Sequence, residues 1–286
     1  MRPEARRWGP TTSAAVDRLA EGVSWREAGT AERATNGAPM RAAPLGAWWA
    51  LREPDWETAA ERIGALLGIT HAHPASLAAG IGHARAVALL LRADPDRFDG
   101  PAFFEKVLET VRRAESFLDR RRDRRDEKTG GRGDEPGGVG TSATGSAREG
   151  RAFGAAERTA VGDRLARLRD HLTDTPLDLQ DLCDGTGAEA DTSWPYALAM
   201  MARNPGLIEA TLLSGINVGG DADTIGAFLG GMLGSLHGWS AFPDKWRKGL
   251  EEADRLLKEA DRFYDRMYEG TGPSNSPTNE ISGSSS

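Results

Sequence analysis

Apolar side chains recur three and four residues apart along much of this chain, and alternating patterns of useful length are hard to find in it. That spacing lines up one face of a helix, whereas a strand would need every second residue. Over residues 55–67 the stripe is Trp56, Ala59, Ala60, Ile63 and Leu67. Over 74–91 it is Leu77, Ile81, Ala84, Ala88 and Leu91, and over 103–118 it is Phe104, Val107, Leu108, Val111 and Phe117. Further helices are expected over 156–172, 194–202, 207–213, 224–236 and 245–267. Pro176, Pro195, Pro205, Gly206 and Pro243 mark their ends, since proline lacks a backbone donor and glycine frees the chain. The expected fold class is all-α.

One of these helices could belong in lipid. Residues 225–242 carry no Asp, Glu, Lys or Arg, and Gly226, Gly230, Gly234 and Gly238 recur at every fourth position. Packed membrane helices use that small-xxx-small spacing. The stretch is, however, at the short end of a span. It holds Ser235, His237 and Ser240, and it follows directly on Asp221 and Asp223. It reads better as a helix buried in a soluble bundle, with the glycines admitting a neighbouring backbone.

Composition agrees, with 39% of the 286 residues apolar, 28% charged and a net charge of −7. An acidic chain does not suit wholesale nucleic-acid binding. The opening MRPEARRWGP has no apolar run behind its basic residues and does not read as a secretory signal. A single cysteine, Cys183, excludes an internal disulfide and fits a reducing cytoplasm. Its bland reading is a small buried side chain; the sharper one is a nucleophile.

Two segments lack the apolar residues that ordering requires. Residues 119–151 are rich in Gly, Ser, Arg and Asp, and residues 269–286 form a Gly/Ser/Pro tail. The expected organisation is therefore one helical domain over 1–268, with a disordered insertion at about 119–151 and a disordered tail.

The sharpest local feature is Asn217-Val218-Gly219-Gly220-Asp221-Ala222-Asp223-Thr224-Ile225 at the start of the glycine-rich helix. Two carboxylates two residues apart, with a hydroxyl beside them, make an all-oxygen set suited to Mg²⁺, Mn²⁺ or Ca²⁺. The plain alternative is helix capping and a favourable meeting with the helix dipole.

Gly-Gly-Asp-Ala-Asp-Thr-Ile before a Gly/Ala-rich helix resembles the C-terminal signature of the ADP-ribosylglycohydrolase family. Upstream, Thr35-Asn36-Gly37-Ala38-Pro39-Met40-Arg41-Ala42-Ala43-Pro44-Leu45-Gly46 is similar to that family's substrate loop. Thr70-His71 before an alanine-rich helix, and Trp8-Gly9-Pro10-Thr11-Thr12, resemble two further family segments in the same order. The resemblance covers about residues 8–240. It implies a compact orthogonal helical bundle with a two-metal centre, magnesium or manganese. The implied activity is hydrolysis of the C1″ bond joining ADP-ribose to a modified protein or a small conjugate.

By position, Asp221, Asp223 and Thr224 would supply half of the metal site. Thr35, Asn36 and Gly37 would meet the diphosphate and ribose through backbone N–H groups and the Asn side chain. His71 would line the cleft, unless it is a hydrogen-bonded core histidine. Arg41 is either a phosphate binder or a structural cation.

The family's other metal ligands and its general base belong to Gly-Asp-x-x-Gly and Thr-Asp-Asp-Thr motifs, which are not found in this sequence. No catalytic residue is therefore assigned. Two divalent ions would bring four positive charges against the two negative ones of Asp221 and Asp223, a weak half-site. The expectation is a chain apparently lacking the N-terminal metal-binding segment, or completed by a partner. The alternative is a catalytically silent ADP-ribose-binding relative. The acceptor, arginine or serine or another, is not legible.

Overall fold

The computed structural model describes residues 8–130 and 160–269. Among them are 13 α-helices and no strand, only isolated bridges of Thr30 with His71 and Thr35 with Glu189. The chain is all-α, as its periodicity requires. In order the helices are α1 (Pro10–Ala20), α2 (Gly37–Met40), α3 (Ala43–Arg52), α4 (Trp56–Gly68), α5 (Pro74–Leu90), α6 (Gly100–Gly130) and α7 (Ala160–Leu168). There follow α8 (Pro176–Leu182), α9 (Ala190–Arg203), α10 (Ile208–Ile216), α11 (Ala222–His237), α12 (Asp244–Gly249) and α13 (Ala253–Tyr268).

The helix α5 organises the rest because it has no solvated face. Of its 17 residues 13 are buried, and its sequence is apolar all the way round, as a fully enclosed helix must be. Against it lie α2, α3, α4, α6, α9 and α11. So many neighbours fit only because the contact residues are small. A Cβ on Gly46 of α3 would sit 2.4 Å from the Ala84 carbonyl oxygen. One on Gly82 would sit 2.6 Å from the Trp194 ring and 2.7 Å from Val111. One side of the core gathers Phe104, Leu108, Leu165, Trp194, Tyr196 and Phe228, and the other gathers Trp49, Ile63, Leu67 and Ile81. Cys183 belongs to the first cluster, and burial pushes its thiol up to about 12. At neutral pH it is an inert core residue.

Several expectations are corrected. No helix among the described residues is long and apolar enough to cross a membrane; α11 ends at Gly238 and packs on α9, α10 and α5. Its repeating glycines do not admit a neighbouring backbone, however. A Cβ on Gly230 would meet nothing within 4 Å, and those on Gly226 and Gly234 would make ordinary contacts with the Ile216 and Phe242 side chains. The helix expected from Trp194 begins at Ala190, so Pro195 is inside it instead of at its end.

Helix α6 runs through Gly130, so residues 119–130 of the segment expected to be disordered are helical; residues 131–159 lie outside the described residues. The single helix expected over 245–267 is interrupted, with Glu252 in the left-handed region (φ 56°) between α12 and α13. These two fall in the second of two compact units, Met1–Phe242 and Pro243–Ser286. Of the tail expected over 269–286, all but its first residue lies outside the described residues.

Candidate functional site

Two segments 185 residues apart in sequence are joined by a short hydrogen bond: Asn36 Nδ2 donates to Asp221 Oδ2 at 2.7 Å. Asn36 is buried, and each of its donors is directed into the protein. Its backbone N–H goes to the Ala188 carbonyl at 2.8 Å. Its amide nitrogen also reaches Ser193 Oγ at 3.1 Å and the Gly187 carbonyl at 3.4 Å. Donation from Asn36 to a diphosphate, as the sequence suggested, would require breaking these bonds. Its evident work is to hold a carboxylate.

The flanking residues fit the same frame. Thr35 Oγ1 donates to Thr11 Oγ1 at 3.2 Å, and the Thr35 carbonyl accepts from buried Ser76 at 2.8 Å. Gly37 opens α2 directly against His71. An added Cβ would lie 2.4 Å from His71 Nε2, so only glycine fits.

His71 is 4% exposed, and burial, with the nearby Arg41 charge, takes its pKa down to about 4. It is neutral at pH 7. Arg41 Nη2 donates to Thr70 Oγ1 at 2.7 Å, and that hydroxyl stands 2.6 Å from His71 Nδ1. With one lone pair occupied by the cation, the hydroxyl proton is free to go to Nδ1. The ring proton then sits on Nε2, which faces α2.

Arg41 is engaged elsewhere. The same Nη2 donates to the Leu67 carbonyl at 2.7 Å, capping the end of α4. Of the two readings offered by sequence, this geometry is that of a structural cation.

The opposite wall is the start of α11. Asp221 occupies the N-cap position but makes no side-chain capping bond. The capping alternative therefore does not account for its carboxylate. Burial, and secondarily the neighbouring Asp223, hold Asp221 above the usual carboxylate range, while its hydrogen bond to Asp221 holds Asp223 below it.

Asp223 Oδ1 also takes the Thr224 N–H at 3.0 Å. Thr224 is buried, with its hydroxyl 3.5 Å from the Met40 sulfur of α2. The turn before Asp221 is locked by Thr186, whose carbonyl accepts from the Asp221 N–H at 2.7 Å and whose hydroxyl donates to Gly219 at 3.0 Å. Gly220 (φ +75°) lies so close to Thr186 that a Cβ would come within 2.3 Å of its carbonyl oxygen.

The structure thus brings the loop of Thr35, Asn36 and Gly37, with His71 behind it, against the loop of Asp221, Asp223 and Thr224. Sequence reasoning missed Ser76, Thr186 and Ser193, which hold these loops in place. Only the Asp184-Gly185-Thr186-Gly187 turn signal pointed near them.

A pair of carboxylates two residues apart, with a hydroxyl alongside, has the donor chemistry that suits a hard divalent cation. Among the described residues no three His, Cys, Asp or Glu side chains come together around one metal position. The fit is to part of a ligand set.

A model of the ADP-ribosylglycohydrolase family matches residues 2–272. An uncharacterized protein of Archaeoglobus fulgidus is 25% identical over 266 residues, covering 93% of this chain and 69% of that one. ADP-ribosylhydrolase ARH3 of Homo sapiens is 27% identical over 125 residues, 38% of this chain and 34% of that protein. Its counterpart in Danio rerio is 29% identical over 117 residues, 36% of this chain and 31% of that protein. The match spans about a third of the length of these two ADP-ribosylhydrolases.

Proposed function

The chain belongs to the ADP-ribosylglycohydrolase family, and from that premise we propose that it hydrolyses the C1″ glycosidic bond of ADP-ribosylated proteins or small ADP-ribose conjugates, with metal dependence. The observation that carries this reading is the 2.7 Å bond from Asn36 to Asp221. It joins the loop that resembles a substrate loop to the loop that resembles a metal loop. One motif alone carries little weight, and two motifs folded onto one another support a site.

In this reading Asp221, Asp223 and Thr224 hold Mg²⁺ or Mn²⁺. The bound cation would supply Lewis-acid stabilisation of charge and orientation of ribose hydroxyls. Asn36 keeps the Asp221 carboxylate aimed at the cleft. His71, neutral and with its proton on Nε2, offers a hydrogen-bond donor and no positive charge. Arg41 acts behind the site by fixing Thr70 and so the His71 tautomer. We assign no side chain of this chain as general base. The single buried cysteine supports placing the protein in the cytoplasm.

A second reading, a catalytically silent ADP-ribose binder on the same scaffold, is favoured by the finding of only a carboxylate pair among the described residues. Calorimetric titration of ADP-ribose in about 5 mM Mg²⁺ and again in EDTA separates the two. Binding that needs the metal and disappears in Asp221→Asn, with release of ADP-ribose from modified arginine or serine peptides, supports the hydrolase. Equal binding in EDTA without turnover supports the silent binder. No binding in either buffer overturns both.

A further inference from the structure

Both loops of the candidate site are tied to one short segment, residues 183–193. It accepts from Asn36 N–H through Ala188, donates from Ala190 to the Ala34 carbonyl at 2.6 Å, and meets the Asn36 amide through Gly187 and Ser193. Through Thr186 it also fixes the Asp221 N–H and the Gly219 carbonyl. The segment starts in a costly conformation. Asp184 has φ 58° and Gly185 φ 108°, two consecutive left-handed residues, the first carrying a Cβ.

What holds that conformation comes from the buried side. Arg164 of α7 has a side chain only 8% exposed. Its Nη1 donates to the Cys183 carbonyl at 2.5 Å and to Asp184 Oδ2 at 2.6 Å, while Nη2 lies 3.8 Å from Asp191 Oδ2. Its Nε is buried with no hydrogen-bond partner. A buried guanidinium with an unsatisfied donor is a poor way to fill volume, because an apolar side chain would avoid the desolvation cost. Here its partners are Asp184 and Asp191, which bracket the backbone contacts made by Thr186, Gly187, Ala188 and Ala190.

We infer that Arg164 is a positioning residue for the candidate site, stapling the 183–191 segment so that its backbone holds the Asn36 and Asp221 loops in register. The inference rests on the cleft being the substrate site. Lysine cannot replace it, since one ammonium cannot donate to Cys183 and Asp184 and also reach Asp191.

The test is amide hydrogen exchange on the full chain for Arg164→Lys, Arg164→Met and Asp184→Gly, together with ADP-ribose titration in Mg²⁺. Asp184→Gly removes the ion pair from an exposed carboxylate and tolerates the left-handed backbone, so it folds even where the arginine variants do not. The Asn36 and Asp221 amides should exchange about tenfold faster relative to amides in the middle of α5, with ADP-ribose affinity about tenfold weaker. Unchanged exchange at those two amides overturns the inference. So does a parallel acceleration of all buried amides, which would make Arg164 a general stabiliser. If the unaltered chain does not bind ADP-ribose, the functional reading fails, while the exchange pattern still decides the role of Arg164.

Discussion

Burial keeps three acid–base groups of this protein neutral, and their effects on stability run in opposite directions with pH. Glu115, on α6, accepts from the Gly162 N–H of α7 at 2.9 Å, and burial pushes its carboxyl up to about 7. His71 and His83 are pushed down to about 4, mainly by burial. Between the ordinary carboxyl value of 4.5 and about 7, unfolding releases the Glu115 proton, so this group lowers stability as pH rises. Each histidine is protonated only on unfolding between about 4 and 6.5, so each lowers stability as pH falls. Glu115→Gln should therefore steepen the rise of stability with pH between about pH 5 and 6.5. The change is up to about 1.4 kcal/mol per pH unit against the unaltered chain, read from urea midpoints. Parallel curves for the two proteins would contradict the burial of this carboxyl. Nothing in the sequence announces Glu115, which sits in a charged helix among other acids. Its environment is made by α7, which follows it by more than forty positions, and no local pattern encodes that approach.

At the scale of elements, periodicity made α4, α5, α6, α10 and α11 legible because each carries its own apolar face or is apolar throughout. It did not reveal α1, α3 or α8. Helix α8 has only seven residues, about two turns, and is announced by Thr175 and Pro176 at its start. Pro195 misled because proline was taken as a boundary, whereas at the sixth position of α9 it lies just past the turn that lacks partners anyway. Glycine is similarly ambiguous in sequence, and two helical glycines should respond oppositely to alanine. At Gly82 a Cβ would drive into Trp194 and Val111. Overpacking of about 1–3 kcal/mol should then outweigh the propensity gain of about 1 kcal/mol, leaving a net loss. At Gly230 nothing lies within 4 Å, so Gly230→Ala should stabilise by up to about 1 kcal/mol. Thermal midpoints moving apart in the two variants would confirm this difference, and a shift of both in the same direction would refute it.

Across the whole molecule the candidate site is a long-range construction, which is why only half of it could be read in advance. The motifs around Asn36 and Asp221 are contiguous and visible; that they touch, and that Thr186, Ser193 and Arg164 make them touch, is a property of the packed bundle. The contact also has a cost. The Asp221 carboxylate is partly buried beside Asp223, and without a cation it is held at the expense of stability, as functional sites commonly are. Asp221→Asn should therefore leave the metal-free protein as stable or more stable, while removing metal-dependent ADP-ribose binding. Asn36→Ala should destabilise the unaltered chain by about 1–3 kcal/mol, because it strips a donor from a buried acceptor. Asn36 keeps its bonds to Gly187 and Ser193 in either background, so in a double-mutant cycle those terms cancel. What survives is the Asn36–Asp221 link, and a coupling of about 1–2 kcal/mol is expected from two groups in one buried network. Urea denaturation of the four proteins in EDTA measures it. Additivity within about 0.3 kcal/mol would mean that the two loops meet without holding one another through this bond, and the shortest link between two distant motifs would carry no weight in making them a single site.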